Sequence, residues 1–167
     1  MTQPTVSQPT LYLLCGLPGA GKTTRANQIL GVTTAVLLSV DDWITGLDKS
    51  LLDYEFRFRL QDIMRDHAGD ILRAGPSVII EFGSWAREDR EKIRAVGAAA
   101  GARTELHFLD APLDELVQRV RTRGGEGAEG LANDVLIGGS DQFERPTPDE
   151  IARFDRYVGP GDEWTSA

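Results

Sequence analysis

Apolar residues along the chain come in two patterns: short continuous runs, and longer stretches in which they recur every three or four positions. The runs are Leu11–Cys15 (LYLLC), Ala35–Ser39 (AVLLS), Ser77–Phe82 (SVIIEF) and Thr104–Leu109. Unbroken apolar runs of this length predict strands buried on both faces. Between them, Lys22–Leu30 predicts a helix ending at Gly31. Ser50–Ala74 carries Leu51, Leu52, Phe56, Leu60, Ile63, Met64, Ile71 and Leu72 at helical spacing, and Ala74–Pro76 stops it. Arg87–Ala100 is closed by Gly101, and Pro112–Arg123 has proline at its start and arginines in its last turn. Strand and helix alternate, which predicts an α/β fold: a parallel sheet flanked by helices on both faces.

The alternation breaks after Arg123. Gly124–Gly130 (GGEGAEG) reads as a flexible loop, and Asp134–Ile137 fits either element. Thr147–Glu150 (TPDE) reads as a capping box that opens a last helix running to about Tyr157, and no clear fifth strand is legible. The pattern shows no repeat, and a single domain is expected. The expected organisation is a disordered lead over 1–9, one domain over 10–158 with a flexible lid at about 119–134, and a tail over 159–167.

Composition narrows the class. The chain has 167 residues, 41% apolar and 26% charged, as expected for one globular domain. No apolar run reaches membrane-spanning length. Met1–Thr10 lacks the basic start and apolar middle of a signal peptide, so a cytoplasmic protein is expected. The net charge of −8 argues against broad nucleic-acid binding, though not against a local basic groove. The single cysteine, Cys15, excludes an internal disulfide and falls in an apolar run, as a buried structural thiol would.

The most informative segment follows the first strand. Gly16, Leu17, Pro18, Gly19, Ala20, Gly21, Lys22 and Thr23 spell G-x-x-x-x-G-K-[ST], the phosphate-binding loop, with Thr24 continuing into the helix. Glycines let successive N–H groups turn inward around phosphate oxygens. Lys22 is placed to reach the β- and γ-phosphates and the Thr23 hydroxyl to bind Mg²⁺, with the helix N-terminus aimed at the same anion. The expected ligands are therefore ATP and Mg²⁺.

In an open parallel sheet the remaining chemistry collects at the carboxyl ends of the strands. Asp41 and Asp42 follow the second strand, where a carboxylate can take the proton of an attacking hydroxyl; a helix cap or acidic turn is the competing reading. Glu81 ends the third, positioned to hold Mg²⁺ through water or to orient the acceptor, or else to pair with an arginine. Ser84 and Trp85 are candidate walls of an acceptor pocket, although tryptophan also serves packing. Arg87 and Arg90 read as a solvated helix face. Arg119 and Arg123 share one face of the helix that leads into the glycine-rich loop, where they can neutralise charge on a transferring phosphoryl group. Arg121 points elsewhere.

Taken together, GLPGAGKTT, SVDDW, VIIEFGSW and LDAPLDELVQRVRTR resemble the small P-loop kinases of the AAA-like, zeta-toxin-like group, which includes the kinase domain of polynucleotide kinase and chloramphenicol phosphotransferase. The resemblance implies an adenylate-kinase-like P-loop fold, ATP and Mg²⁺ at the loop, Asp41 as general base, Lys22 and Thr23 in the loop roles, and lid arginines at Arg119 and Arg123; Asp42, Glu81 and Trp85 are the residues expected to bind the acceptor. Polynucleotide kinases carry basic residues on both sides of the aspartate pair, whereas Val40 and Ile44 stand here. The leading expectation is a kinase moving the γ-phosphate of ATP to a hydroxyl of a small molecule. The alternatives are a polynucleotide 5′-hydroxyl kinase, which needs a basic groove from residues such as Arg57, Arg59 and Arg65, and a nucleotide-dependent regulatory ATPase.

Overall fold

The computed structural model describes residues 8–125 and 127–166. Most of the expected lead (residues 1–7), Glu126 in the glycine-rich run and Ala167 of the tail lie outside these described residues. Strands β1 (Thr10–Cys15), β2 (Val36–Ser39), β3 (Val78–Gly83), β4 (Arg103–Phe108) and β5 (Arg156–Val158) form one sheet in the order β2-β3-β1-β4-β5, every pair parallel.

The sheet is apolar on both faces because each central strand alternates between two clusters. On β1, Leu11, Leu13 and Cys15 pack with α3 (Tyr54–Arg73), α4 (Arg87–Ala99) and α5 (Leu113–Arg123) through residues such as Met64, Ile93 and Leu116. Tyr12 and Leu14 pack the other way, against Ala26 and Ile29 of α1 (Lys22–Leu30) and against Trp164. Leu11, Leu13 and Leu14 are all fully buried; burial of each contributes about 1.5–3 kcal/mol. Gly97 lets α4 approach the sheet, since a Cβ there would lie 3.1 Å from Leu11 and Thr104.

Four features depart from the sequence reading. The chain turns into a short helix, α2 (Val40–Gly46), directly after β2, with the Ser39 hydroxyl accepting from the Asp42 N–H at 3.4 Å. Asp134–Ile137, ambiguous in sequence, belongs to a π-helical turn, Leu131–Ile137, preceded by α6 (Ala128–Gly130) and followed by a 3₁₀ turn, Ser140–Gln142. The expected last helix to Tyr157 is only α7 (Pro148–Ile151), and a fifth strand exists: Arg156, Tyr157 and Val158 pair with Glu105, Leu106 and His107. Three residues led by an arginine are too short to show as an apolar run. Arg90, expected on a solvated face, is fully buried and clasps Glu150 with two bonds of 2.6 and 2.9 Å. That carboxylate was expected to complete the capping box; the Thr147 hydroxyl donates to Asp149 instead.

Candidate active site

The phosphate-binding motif closes the turn between β1 and α1. Gly16 has no room for a side chain, because a Cβ would lie 2.3 Å from the Leu109 carbonyl. Gly21 precedes α1 in the left-handed region at φ 102°, which glycine adopts freely. Among the described residues, the N–H groups of Gly19, Gly21, Lys22, Thr23 and Thr24 have no protein acceptor. Backbone donors left free at a helix N-terminus are the kind a phosphate chain would bind. Lys22 Nζ donates to the carbonyls of Gly16 (2.8 Å) and Leu17 (2.9 Å), so its ammonium is held at the loop. Burial pushes its pKa below the usual lysine value, against the pull of Glu81 and Asp41.

Thr23 Oγ1 donates to Glu81 Oε1 at 2.7 Å, bringing the start of α1 to the end of β3. Burial raises the Glu81 pKa, the Thr23 hydrogen bond and Lys22 lower it, and Asp41 and Asp42 add to the rise. Ser39 is in register with Glu81, so the aspartate pair begins two residues beyond a strand end that adjoins it. Asp41 lies on the first turn of α2, 61% exposed, and its Oδ1 forms an ion pair with Arg57 Nη2 of α3 at 2.7 Å. Asp42 is exposed beside it. On α3, Gln61 donates to the Phe82 carbonyl at 3.3 Å.

The turn after β3 is held from behind. Ser84 adopts φ 48°, unusual for a residue with a side chain, and its buried hydroxyl has no described partner. Arg90 donates to the carbonyls of Ser84 (3.0 Å) and Trp85 (3.1 Å), and the Glu144 N–H also reaches Trp85. The Trp85 ring is half-buried and meets Phe143 edge-on at 6.1 Å. Cys15 is buried behind this turn; desolvation pushes its thiol up to about 12, as befits an inert packing residue.

On the opposite flank, Arg119 donates to the Gly19 carbonyl at 3.1 Å and pairs with Glu115. An open groove of about 420 Å³ runs beside the loop between Gly19, Thr24, Gln28 and Arg119. Arg123 lies close enough for its charge to depress the Lys22 pKa. Arg121 turns away to Asn133 (2.8 Å) and Glu129 (3.4 Å). A larger depression of about 760 Å³ lies beyond it, between α5 and Ile137, and no residue of the phosphate loop lines it.

The site therefore unites the loop, Glu81 and Arg119, with Arg123, Asp41 and Asp42 within electrostatic reach, while Trp85 is engaged with Phe143. Sequence reading missed the roles of Arg57, Gln61, Arg90 and Glu150 as tethers; their spacing is that of ordinary helix residues, and only the tertiary approach of other elements reveals them. Among the described residues, no group of three or more His, Cys, Asp or Glu is arranged to hold a metal ion. The donors present at the loop are oxygens, Thr23 and Glu81. They fit Mg²⁺, which takes few protein ligands and completes its shell with phosphate and water.

A parallel sheet in this order, carrying a phosphate loop after β1, is the fold of the P-loop kinases, and solved structures agree. The chain superposes on the APS kinase CysC of Mycobacterium tuberculosis, solved with AMPPNP and APS, with TM-score 0.61 and 23% identity over 93% of this chain and 91% of that one. A sugar kinase from Janibacter gives TM-score 0.62 at 19% identity, covering 91% and 84% of the two chains. A component of the Pnkp1/Rnl/Hen1 complex gives 0.59 at 24% identity over 66% of this chain, a match that spans 38% of the other. The chain belongs to the AAA domain family, whose profile matches residues 11–146. No curated protein sequence matches it significantly. No helix among the described residues is long and apolar enough to cross a membrane.

Proposed function

We propose that the protein is an ATP-dependent phosphotransferase that moves the γ-phosphate of ATP to a hydroxyl of a small molecule, with Asp41 as general base. The observation that carries this reading is the convergence on one strand-end surface of a phosphate loop, a Thr23–Glu81 pair and a second carboxylate, Asp41, whose charge acts on both Lys22 and Glu81. The loop N–H groups and Lys22 bind the triphosphate. Thr23 would hold Mg²⁺ with Glu81 behind it, and the ion would withdraw charge from the phosphate oxygens. Asp41 accepts the proton of the acceptor hydroxyl as its oxygen bonds to the γ-phosphorus; the bond to the β–γ bridging oxygen breaks and ADP leaves. Arg119 and Arg123 neutralise the charge that develops on the transferred group.

A small acceptor fits better than a polynucleotide. Of the three arginines a basic groove would draw on, Arg57, Arg59 and Arg65, two are engaged, with Asp41 and Asp62. The test is transfer of labelled phosphate from Mg-ATP to a panel of sugars, nucleosides and amino alcohols and to a 5′-hydroxyl oligonucleotide. The expected result is a labelled small molecule with the wild type and none with Asp41→Ala, which still binds ATP. Labelling of the oligonucleotide alone overturns the acceptor class; labelling by Asp41→Ala overturns the base.

A further inference from the structure

We propose that Arg57 is the positioning residue of the base: it fixes the Asp41 carboxylate through one oxygen and leaves the other for the acceptor hydroxyl. The inference rests on the reading of Asp41 given above. Asp41 is mostly exposed at the start of a seven-residue helix, a place where an unpartnered aspartate samples several rotamers. Arg57 Nη2 lies 2.7 Å from Oδ1 as an ion pair and donates to the Leu51 carbonyl at 3.4 Å. Among the described residues, no hydrogen bond reaches Oδ2. Arg57 itself is only 18% exposed and belongs to a 20-residue helix. One turn further on, Gln61 anchors that helix to the end of β3 through Phe82. Helix α3 is thus a strut between the strand that carries Glu81 and the carboxylate that Arg57 grips.

Stability does not account for the pair. An ion pair with one partner this exposed contributes little to stability. Placement is where it acts, since a base displaced by about 1 Å from the reacting group can lose about a hundredfold in rate. A base, its reacting partner and a third group that orients the base are the recurring parts of such sites.

The experiment compares wild type, Arg57→Ala, Arg57→Lys, Asp41→Asn and the double variant Arg57→Ala/Asp41→Asn. The readout is phosphate release from Mg-ATP, with water as the acceptor, beside the dissociation constant of Mg-ATP. Arg57→Ala is expected to lower kcat by about 10–100-fold with ATP affinity within about threefold of wild type. Lysine, which keeps the charge but not the fork, restores the rate in part. In the Asp41→Asn background, removing Arg57 changes the rate by less than about threefold, because the two act as a unit. A full effect of Arg57→Ala in that background overturns the proposal, as does wild-type turnover by Arg57→Ala where Asp41→Asn is crippled. A silent Asp41→Asn instead overturns the general-base reading itself. A second measurement does not depend on turnover: crystal structures of Arg57→Ala should show Asp41 in more than one rotamer, and a single unchanged rotamer overturns the proposal.

Discussion

Thr23 and Glu81 lie 58 positions apart in the chain, yet the threonine hydroxyl donates to the glutamate carboxylate at 2.7 Å. The bond orients the hydroxyl lone pairs at the mouth of the phosphate loop, where Mg²⁺ is expected. Loss of a group that orients a metal ligand typically lowers metal affinity by about 10–100-fold. Glu81→Ala should therefore raise the Mg²⁺ concentration needed for tight ATP binding by about tenfold or more, while binding of metal-free ATP changes little. Calorimetric titrations of ATP at a series of Mg²⁺ concentrations measure this directly. Equal Mg²⁺ dependence in wild type and variant would mean that Glu81 plays no part in holding the ion.

Gly16 opens the loop against the Leu109 carbonyl, and a Cβ would stand 2.3 Å from that backbone oxygen. Neither chain segment is free to retreat: the Leu109 N–H is bonded to the Cys15 carbonyl at 2.9 Å, next to Gly16. Gly16→Ala should cost about 1–3 kcal/mol through overpacking and weaken nucleotide binding, because the loop donors shift with the backbone. Urea denaturation and ATP titration on the same preparation check both effects. Unchanged stability would show that the loop has slack the geometry denies.

How legible was this arrangement in the sequence? β1, α1 and the loop between them were, because a continuous apolar run, glycines and a lysine at fixed spacing are local signals. Their boundaries fall within a residue of those read from the pattern. Glu81 was legible as a strand-end carboxylate, but its partner was not, since nothing near Thr23 or Glu81 encodes the approach of α1 to β3. Arg90 was misread for the same reason. Its neighbours on α4 are charged, and only Glu150, 60 positions later, makes its burial tolerable. β5 was hidden because three residues joining an existing sheet edge need no apolar run; the parallel pairing with β4 supplies their order.

The Arg90–Glu150 pair yields a stability prediction. Both side chains are almost wholly buried, at 0% and 2% exposure, and the guanidinium also satisfies the carbonyls of Ser84 and Trp85. Removing the cation leaves a buried carboxylate and two carbonyls without donors. Arg90→Met should cost about 3–5 kcal/mol, whereas the double change Arg90→Met/Glu150→Leu should recover much of it, since apolar replacement of a whole buried pair is often near neutral. The control is Arg87→Ala, whose partner Asp149 is exposed and whose loss should leave stability nearly unchanged. Equal losses for Arg90→Met and Arg87→Ala in urea denaturation would contradict the assignment.

A last prediction concerns pH. His107 is fully buried on β4, with Nδ1 3.1 Å from an Arg25 nitrogen and Nε2 3.2 Å from Glu105 Oε2. Arginine only donates, so Nδ1 accepts and the proton resides on Nε2, which donates to Glu105; the ring is neutral. Burial, with the charges of Arg25 and Arg156, outweighs the pull of Glu105 and lowers the His107 pKa from its ordinary 6.5. A depressed histidine pKa means that below 6.5 the unfolded chain takes up a proton the folded chain refuses. The contribution is fully present above that value and is lost as pH falls through the window below it. Protonation would also set an N–H against the Arg25 guanidinium and loosen the strap that Arg25 and Glu105 hold through the Asp162 carbonyl and Trp164. Unfolding free energies measured between pH 7.5 and 5 should therefore decline on acidification in the wild type and decline less steeply in His107→Gln, whatever its absolute stability. Parallel slopes in the two proteins would show that His107 binds its proton equally in both states.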